Sequence, residues 1–447
     1  MPEAANEMQE GDFEITRLEL RTLVAVDLGW AVQDEAADTF LRDRGRPGWL
    51  HALADQFPQP GGGFDRPRVE PPSYGRSTEY GRPTFSDEFS TSYMPLVSRP
   101  QAPVDYLAGC LVWRLDWVKI GPSGALSVCV RAELRNGPVN VLDVIGSYHQ
   151  FRRDVRNRWP DLVTEFLRHW SSTLPRYRLI DTAPAVLLGH TETYDVVDFD
   201  FTVDGAVRRP KDLYRDGPVT GLRALAGLTR MSHVMNRYGE DNVRALREMD
   251  LGSRPDELWI VNVERMTRHH PEHLSDLGKR LFLEDIVSAI EITLQQRVTL
   301  KYVTDWVRRM RATFLDRLTA ERDVSGSHAV MQTLLTRIAW SSDLYSEVPA
   351  VHRDSGSSFF RTIVSRVDQL KEVDASRDAV SRSVQSMLDI ANAIFQERSA
   401  ATSAALQEIS LNVGKTSRNT GFAAVFLAVA AAILAIVQIW VAIAGYG

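Results

Sequence analysis

The feature that most restricts this chain is its last uncharged stretch, "GFAAVFLAVAAAILAIVQIWVAI". From Gly421 to Ile443, 23 residues carry no charge. As a helix rising about 1.5 Å per residue they cover roughly 34 Å, enough for a hydrocarbon core of about 30 Å with slight tilt. A segment apolar all round suits lipid better than a one-sided protein core. Trp440 and Tyr446 lie near its outer end, where amphipathic rings favour the interface, and Lys415 and Arg418 flank its inner end. The positive-inside rule then places residues 1–420 in the cytoplasm and predicts a single-pass protein of the cell (inner or plasma) membrane, with the lipid bilayer as a partner.

Gly414-Lys415-Thr416, just before that stretch, has the ending of a phosphate-binding loop. The full motif needs a glycine five residues earlier, so that successive N–H groups can curl around phosphate. Ile409 stands there, and Leu406, Ile409 and Val413 have helical spacing. The nucleotide reading fails on both counts. The remaining composition is that of a globular protein: 447 residues, net charge −6 and 44% hydrophobic residues, enough for two or three folded units. Mild acidity argues against nucleic acid as a partner. The acidic start "MPEAANEMQEGDFE" has no apolar core of a signal peptide, so insertion is expected to rely on the final span.

Two cysteines, Cys110 and Cys129, fall in a readable hairpin. Leu111, Trp113, Leu115 and Trp117 alternate with polar residues before the turn Gly121-Pro122-Ser123-Gly124, and Leu126, Val128, Val130 and Ala132 alternate after it. Pairing Ile120 with Ala125 sets Trp117 opposite Val128 and Cys129 opposite Asp116. Cys110 then lies about 20 Å along its strand at roughly 3.3 Å per residue, too far for a disulfide.

Elsewhere, Phe13 to Trp30 has strand composition with a phase shift near Arg17, which predicts a bulge. Residues 33–56 read as helical. A Pro/Gly-rich insertion occupies 58–104. A helix is expected from Val139, with Pro160 opening a second segment. "AVLLGH", "DVVDFDFTVDG" and "ELWIVNV" are further strand candidates, the last two separated by helix from Thr220 to Met249. From Leu281, apolar residues recur at helical spacing: Ile286, Ile290, Leu294, Val298, and later Phe360, Ile363, Val367 and Leu370. The expected fold is an α/β cytoplasmic domain (1–280), a helical hairpin and long coiled-coil-like stalk (281–420), and a single C-terminal transmembrane helix (421–443). An unbroken helix from Phe359 to Ile443 would run roughly 130 Å and would need neighbours, which predicts a homo-oligomer.

This order of parts resembles CorA-type magnesium transporters, with "DIVSAIEITLQQRVTLKYV" similar to their helical region. Gly445-Tyr446-Gly447 stands where that family carries Gly-Met-Asn. The resemblance implies a homopentamer whose span lines a pore, and here a reduced cation channel with one span per subunit.

Candidate site residues are few. His269, His270 and His273 in "RHHPEH" are expected in a turn; three imidazoles there could hold a transition metal. Asp198 and Asp200 share one face of a strand, with Val197, Phe199 and Phe201 on the other, and could hold a divalent cation. Arg152, Arg153, Arg156 and Arg158 form a basic helical patch. Ala424, Ala428, Ala432 and Ala435 favour close helix packing in the span, and Gln438 is its polar group, expected to bond to another copy. No hydrolase, redox or dinucleotide motif is present. The functional expectation is a tail-anchored, homo-oligomeric protein whose α/β domain is a sensor or interaction module, with the CorA-like channel as the alternative.

Overall fold

A computed structural model describes residues 13–27, 30–32, 65, 68–69, 96–101, 104–120, 125–171, 177–179, 191–215, 219–231, 240–269, 283–284, 286–302, 304–305, 308, 358–380, 382–383, 386, 429 and 431–433. Thirteen strands are described: β1 (Phe13–Asp27), β2 (Trp30–Val32), β3 (Arg68–Val69), β4 (Leu96–Ser98), β5 (Tyr106–Ala108), β6 (Leu111–Ile120), β7 (Ala125–Leu134), β8 (Val139–Asn140), β9 (Tyr177–Leu179), β10 (Thr191–Val203), β11 (Ala206–Val207), β12 (Leu258–Val261) and β13 (Arg265–His269). The described helices include α1 (Val141–Ser171), α2 (Pro210–Arg215), α3 (Val219–Arg230), α4 (Glu240–Met249), α5 (286–302) and α6 (Ser358–Leu370).

Eleven strands form one sheet in the order β12-β13-β10-β1-β7-β6-β4-β3, with β11, β5 and β8 as short additions; β2 and β9 pair separately. All pairs in it are antiparallel except β10 with β13. The long central strands β1 and β10 run side by side from Phe13↔Val203 to Val26↔Thr191, with the expected bulge between Ile15 and Arg17. The β10–β11 turn is Asp204-Gly205, both with positive φ, the geometry that an Asp-Gly hairpin supplies at least cost. Asn140 caps α1, its Oδ1 accepting the Leu142 N–H at 2.9 Å.

Side chains alternate across the sheet, so each face has its own core. On the first face Leu18, Leu20, Val24, Trp113, Val130, Phe199 and Phe201 meet Val144, Ile145, Tyr148 and Phe151 of α1, with Leu225 and Leu228 of α3 and Leu246 of α4. On the second face Leu23, Ala25, Trp117, Cys129, Tyr194, Val196 and Trp259 meet Ile286, Ile290, Leu294 and Val298 of α5 and Ile363, Val364 and Val367 of α6.

Those contacts correct the expected fold class. The apolar stripes of Ile286–Val298 and Ile363–Val367 bury against the sheet, so they do not build a stalk that needs other copies. Helix α6 ends at Leu370; Lys371 and Glu372 form a turn, Glu372 with φ 53°, before helix resumes over 373–380. A continuous helix from Phe359 is therefore excluded, and the coiled-coil character goes with it. The membrane assignment is also corrected: among the described residues no helix is long and apolar enough to cross a membrane. Within 421–443, Val429 and residues 431–433 are helical and buried within the chain; the rest of that stretch lies outside the described residues. The lack of such a helix among the described residues overturns the single-pass span and the cell-membrane location that rested on it.

Smaller differences have local causes. The β6–β7 register is the expected one from Leu111↔Leu134 to Leu115↔Val130. A bulge between Leu115 and Trp117 then shifts it by one, pairing Trp117 with Cys129 and Ile120 with Leu126. Helix α1 passes through Pro160 as one 31-residue element. The ends of the 58–104 insertion contribute β3 and β4 to the sheet edge. The expected helix over 33–56 and the strand "AVLLGH" lie outside the described residues.

Candidate functional site

The start of β10 presents charged residues alternately to both faces. Glu192 and Tyr194 point to the α5–α6 side, Thr193 and Asp195 to the α1 side. Strand alternation makes this one site with two halves, separated only by the sheet backbone.

On the α1 side Asp195, 1% exposed, collects donors from three elements. Its Oδ1 accepts from Thr22 of β1 at 2.7 Å and from Arg152 of α1 at 3.2 Å. Its Oδ2 accepts from the Tyr148 hydroxyl of α1 at 2.5 Å. Arg265, the first residue of β13, donates from Nη2 to the Tyr148 oxygen at 2.9 Å and stands 3.9 Å from Asp195 Oδ2. Its guanidinium lies 5.1 Å from the Tyr148 ring centroid. Arg152 also reaches Thr193 Oγ1 at 3.4 Å. Burial pushes the Tyr148 hydroxyl far above its ordinary range, with the Asp195 charge acting the same way, so it stays a donor. Burial pulls Arg152 down, but Asp195, Tyr148 and Glu264 outweigh it and leave the guanidinium above its ordinary value. The turn before β13 is fixed by Asn262, whose Oδ1 accepts the Glu264 and Arg265 N–H groups, while its carbonyl accepts from Tyr194.

On the α5–α6 side Glu192 accepts from Lys301 and, at 3.1 Å, from Lys371, with Arg297 Nε 3.7 Å away. Lys371 also donates to the Thr193 carbonyl and stands 5.5 Å from the Tyr194 ring centroid. Burial raises the Glu192 carboxyl, but Lys301 and Lys371 outweigh it and hold it below its ordinary range. One carboxylate thus fastens α5 and the turn that ends α6 to the first residues of β10.

The sequence candidates Asp198 and Asp200 lie three and five residues beyond Asp195 on β10. Asp198, 1% exposed, accepts from Arg17 Nη1 at 2.9 Å and Arg268 Nε at 3.1 Å. Asp200 accepts from Arg17 Nε at 2.6 Å and stands 3.4 Å from His269 Nδ1. Both carboxylates are therefore paired with guanidinium groups, and burial pushes Arg268 down to about 10. His269 is in strand β13 and not in a turn, because it pairs with Phe199 and Leu258. Its Nδ1 faces the Phe199 carbonyl at 2.9 Å, and burial lowers its pKa. His270, His273, Ala424, Ala428, Ala435 and Gln438 lie outside the described residues; Ala432 is buried. Among the described residues no three His, Cys, Asp or Glu side chains gather as a metal site. An open groove of about 480 Å³ runs along the polar face of α6, lined by Leu251, Arg361, Thr362, Ser365, Arg366 and Gln369.

Sequence spacing alone does not reveal the cluster around Asp195, although Asp195 itself carries a signal. It stands in phase with Val197, Phe199 and Phe201, and an acid in an apolar row must be buried and must have partners. Arg152 reads in the sequence only as part of a basic patch. Arg265 and Glu192 carried no signal of their own, since their partners are distant in sequence.

No protein-family model matches the chain, and no curated protein or solved structure matches it either.

Proposed function

We propose that this sheet domain is a sensor and interaction module in which occupancy on the α1 side is relayed through the first residues of β10 to α5 and α6. The observation that carries this reading is the alternation of Glu192 and Asp195, each the only carboxylate its described cations share at that end of the strand. A rotation or shift of β10 by one residue would exchange the two faces, so the strand start is free to respond only as a unit. Helix α6 is the suited output: its inner face is packed by Ile363, Val364 and Val367, while its outer face offers the polar groove to a partner.

The test is hydrogen exchange in an Asp195→Asn variant. Loss of the carboxylate leaves Arg265 without its counter-charge and Arg152 with only the exposed Glu264. Exchange is expected to quicken in α1 and also across the sheet in α6. Faster exchange confined to α1, with α6 unchanged, refutes the relay.

A further inference from the structure

The donors around Asp195 use up its acceptor sites and leave none for the rest of Arg265. A carboxylate offers about four lone-pair positions, and Thr22, Arg152 and Tyr148 take three, with Arg265 Nη2 at the fourth but 3.9 Å away. Arg265 is 5% exposed, and its Nε and Nη1 are buried with no hydrogen-bond partner among the described residues. A buried guanidinium with unpaired donors is costly, and the cost is removed when an anion accepts from them. Charge points the same way: two guanidinium groups, Arg152 and Arg265, face one carboxylate. Glu264 acts on Arg152 as well, but it is exposed and screened by solvent. The Arg152 end of the cluster reaches solvent: its side chain is 32% exposed, and Val263, in the turn before β13, is 53% exposed.

We propose that Arg265 and Arg152 form a binding site for a small oxyanion, a phosphate or carboxylate group, which enters past Arg152 and accepts from the free Nε and Nη1 of Arg265. The planar guanidinium suits such a ligand better than a point charge does. The site rests on the sensor reading above, to which it supplies a ligand class. Tyr148 is the positioning residue: its hydroxyl bridges Asp195 and Arg265 and holds the guanidinium plane in place.

The test is calorimetric titration of the full chain with inorganic phosphate and, separately, acetate. Saturable binding of either oxyanion is expected; phosphate alone marks a tetrahedral ligand and acetate alone a planar one. Arg265→Gln should abolish binding, and Arg152→Gln should weaken it about tenfold. Because Arg152 is partly exposed, its variant keeps the test intact should Arg265→Gln fail to fold. Arg308→Gln, remote and exposed, should leave binding unchanged. No binding of either anion, or binding undiminished in both Arg152→Gln and Arg265→Gln, overturns the site. Hydrogen exchange in α6 with and without saturating anion separates the two ideas: binding that leaves α6 unchanged keeps the site and removes the sensor reading.

Discussion

On the α1 side of the sheet apolar contact does most of the holding; on the α5–α6 side ions share it. The first core runs without interruption from Phe13 and Phe201, whose rings stack at 4.9 Å, to Trp113 against Phe151 of α1. The second face has a comparable apolar patch, but its helices are also tied down by buried charge. Glu284, just before α5, pairs with Arg21 at 2.7 Å. Glu291 accepts from Trp117, from Lys119 at 2.6 Å and from Ser127, which in turn accepts from Gln295. Glu192 holds Lys301 and Lys371. Apolar burial neither titrates nor is screened by dilute salt, whereas paired charges titrate and are screened. Ion pairing of α1 is confined, among the described residues, to the Asp195 cluster, whereas several pairs tie down α5 and α6, so the α5–α6 layer is the more readily loosened by solution conditions.

The largest expected effect breaks the first face. Trp113 is 1% exposed, and Trp113→Ala should cost about 3–5 kcal/mol in urea unfolding with no dependence on salt. A loss that shrinks with added salt would erase the contrast between the faces. Next comes the second face. Glu291→Gln leaves Lys119 without its counter-charge and should cost about 3 kcal/mol, with faster exchange in α5 before α1. Exchange that quickens equally in both helices would contradict the distinction.

The pH response sharpens the comparison further. Asp368 of α6 is held above its ordinary value, to about 6, by burial against α5, although Thr293 donates to it at 2.6 Å; Asp374 adds to the rise and Arg377 opposes it. Its contribution is full below the unfolded value near 4 and is lost as pH rises through about 6. Asp368→Asn should thus stabilise the protein by about 2 kcal/mol at pH 8 and change little at pH 4. Glu192 and Glu284 run in the opposite sense, since their folded values lie below the ordinary range. Their stabilisation is present above the unfolded value and lost as pH falls through the folded one. A melting curve of the Asn variant parallel to wild type from pH 4 to 8 would refute the Asp368 assignment. The smallest effect is a control. Arg308 and Asp305 pair at 3.1 Å on an exposed surface, and Arg308→Ala should change stability by no more than about 0.5 kcal/mol. A larger loss would mean that exposed pairs matter here as much as buried ones.

Strand composition from Phe13 to Trp30 with a phase shift near Arg17, period-two alternation around the hairpin turn, and the apolar run in "DVVDFDFTVDG" were enough to mark strands and the bulge, because which face a strand residue meets follows from local geometry. Helical spacing marked α5 and α6 equally well, yet it could not say what their apolar stripes would meet. A stripe packed on a sheet and one packed on another copy have the same pattern, so the stalk was a reasonable expectation that tertiary contact overturned. The same limit governed the site. Asp198 and Asp200 stood out as neighbours in one strand, while Arg17 and Arg268, which neutralise them, come from strands far away in sequence. Asp195 could be recognised as a buried acid from its phase. That it meets Tyr148, Arg152 and Arg265 was decided only when α1 and β13 closed on β10, since the partners of a buried charge are set by which elements pack together and not by their order along the chain.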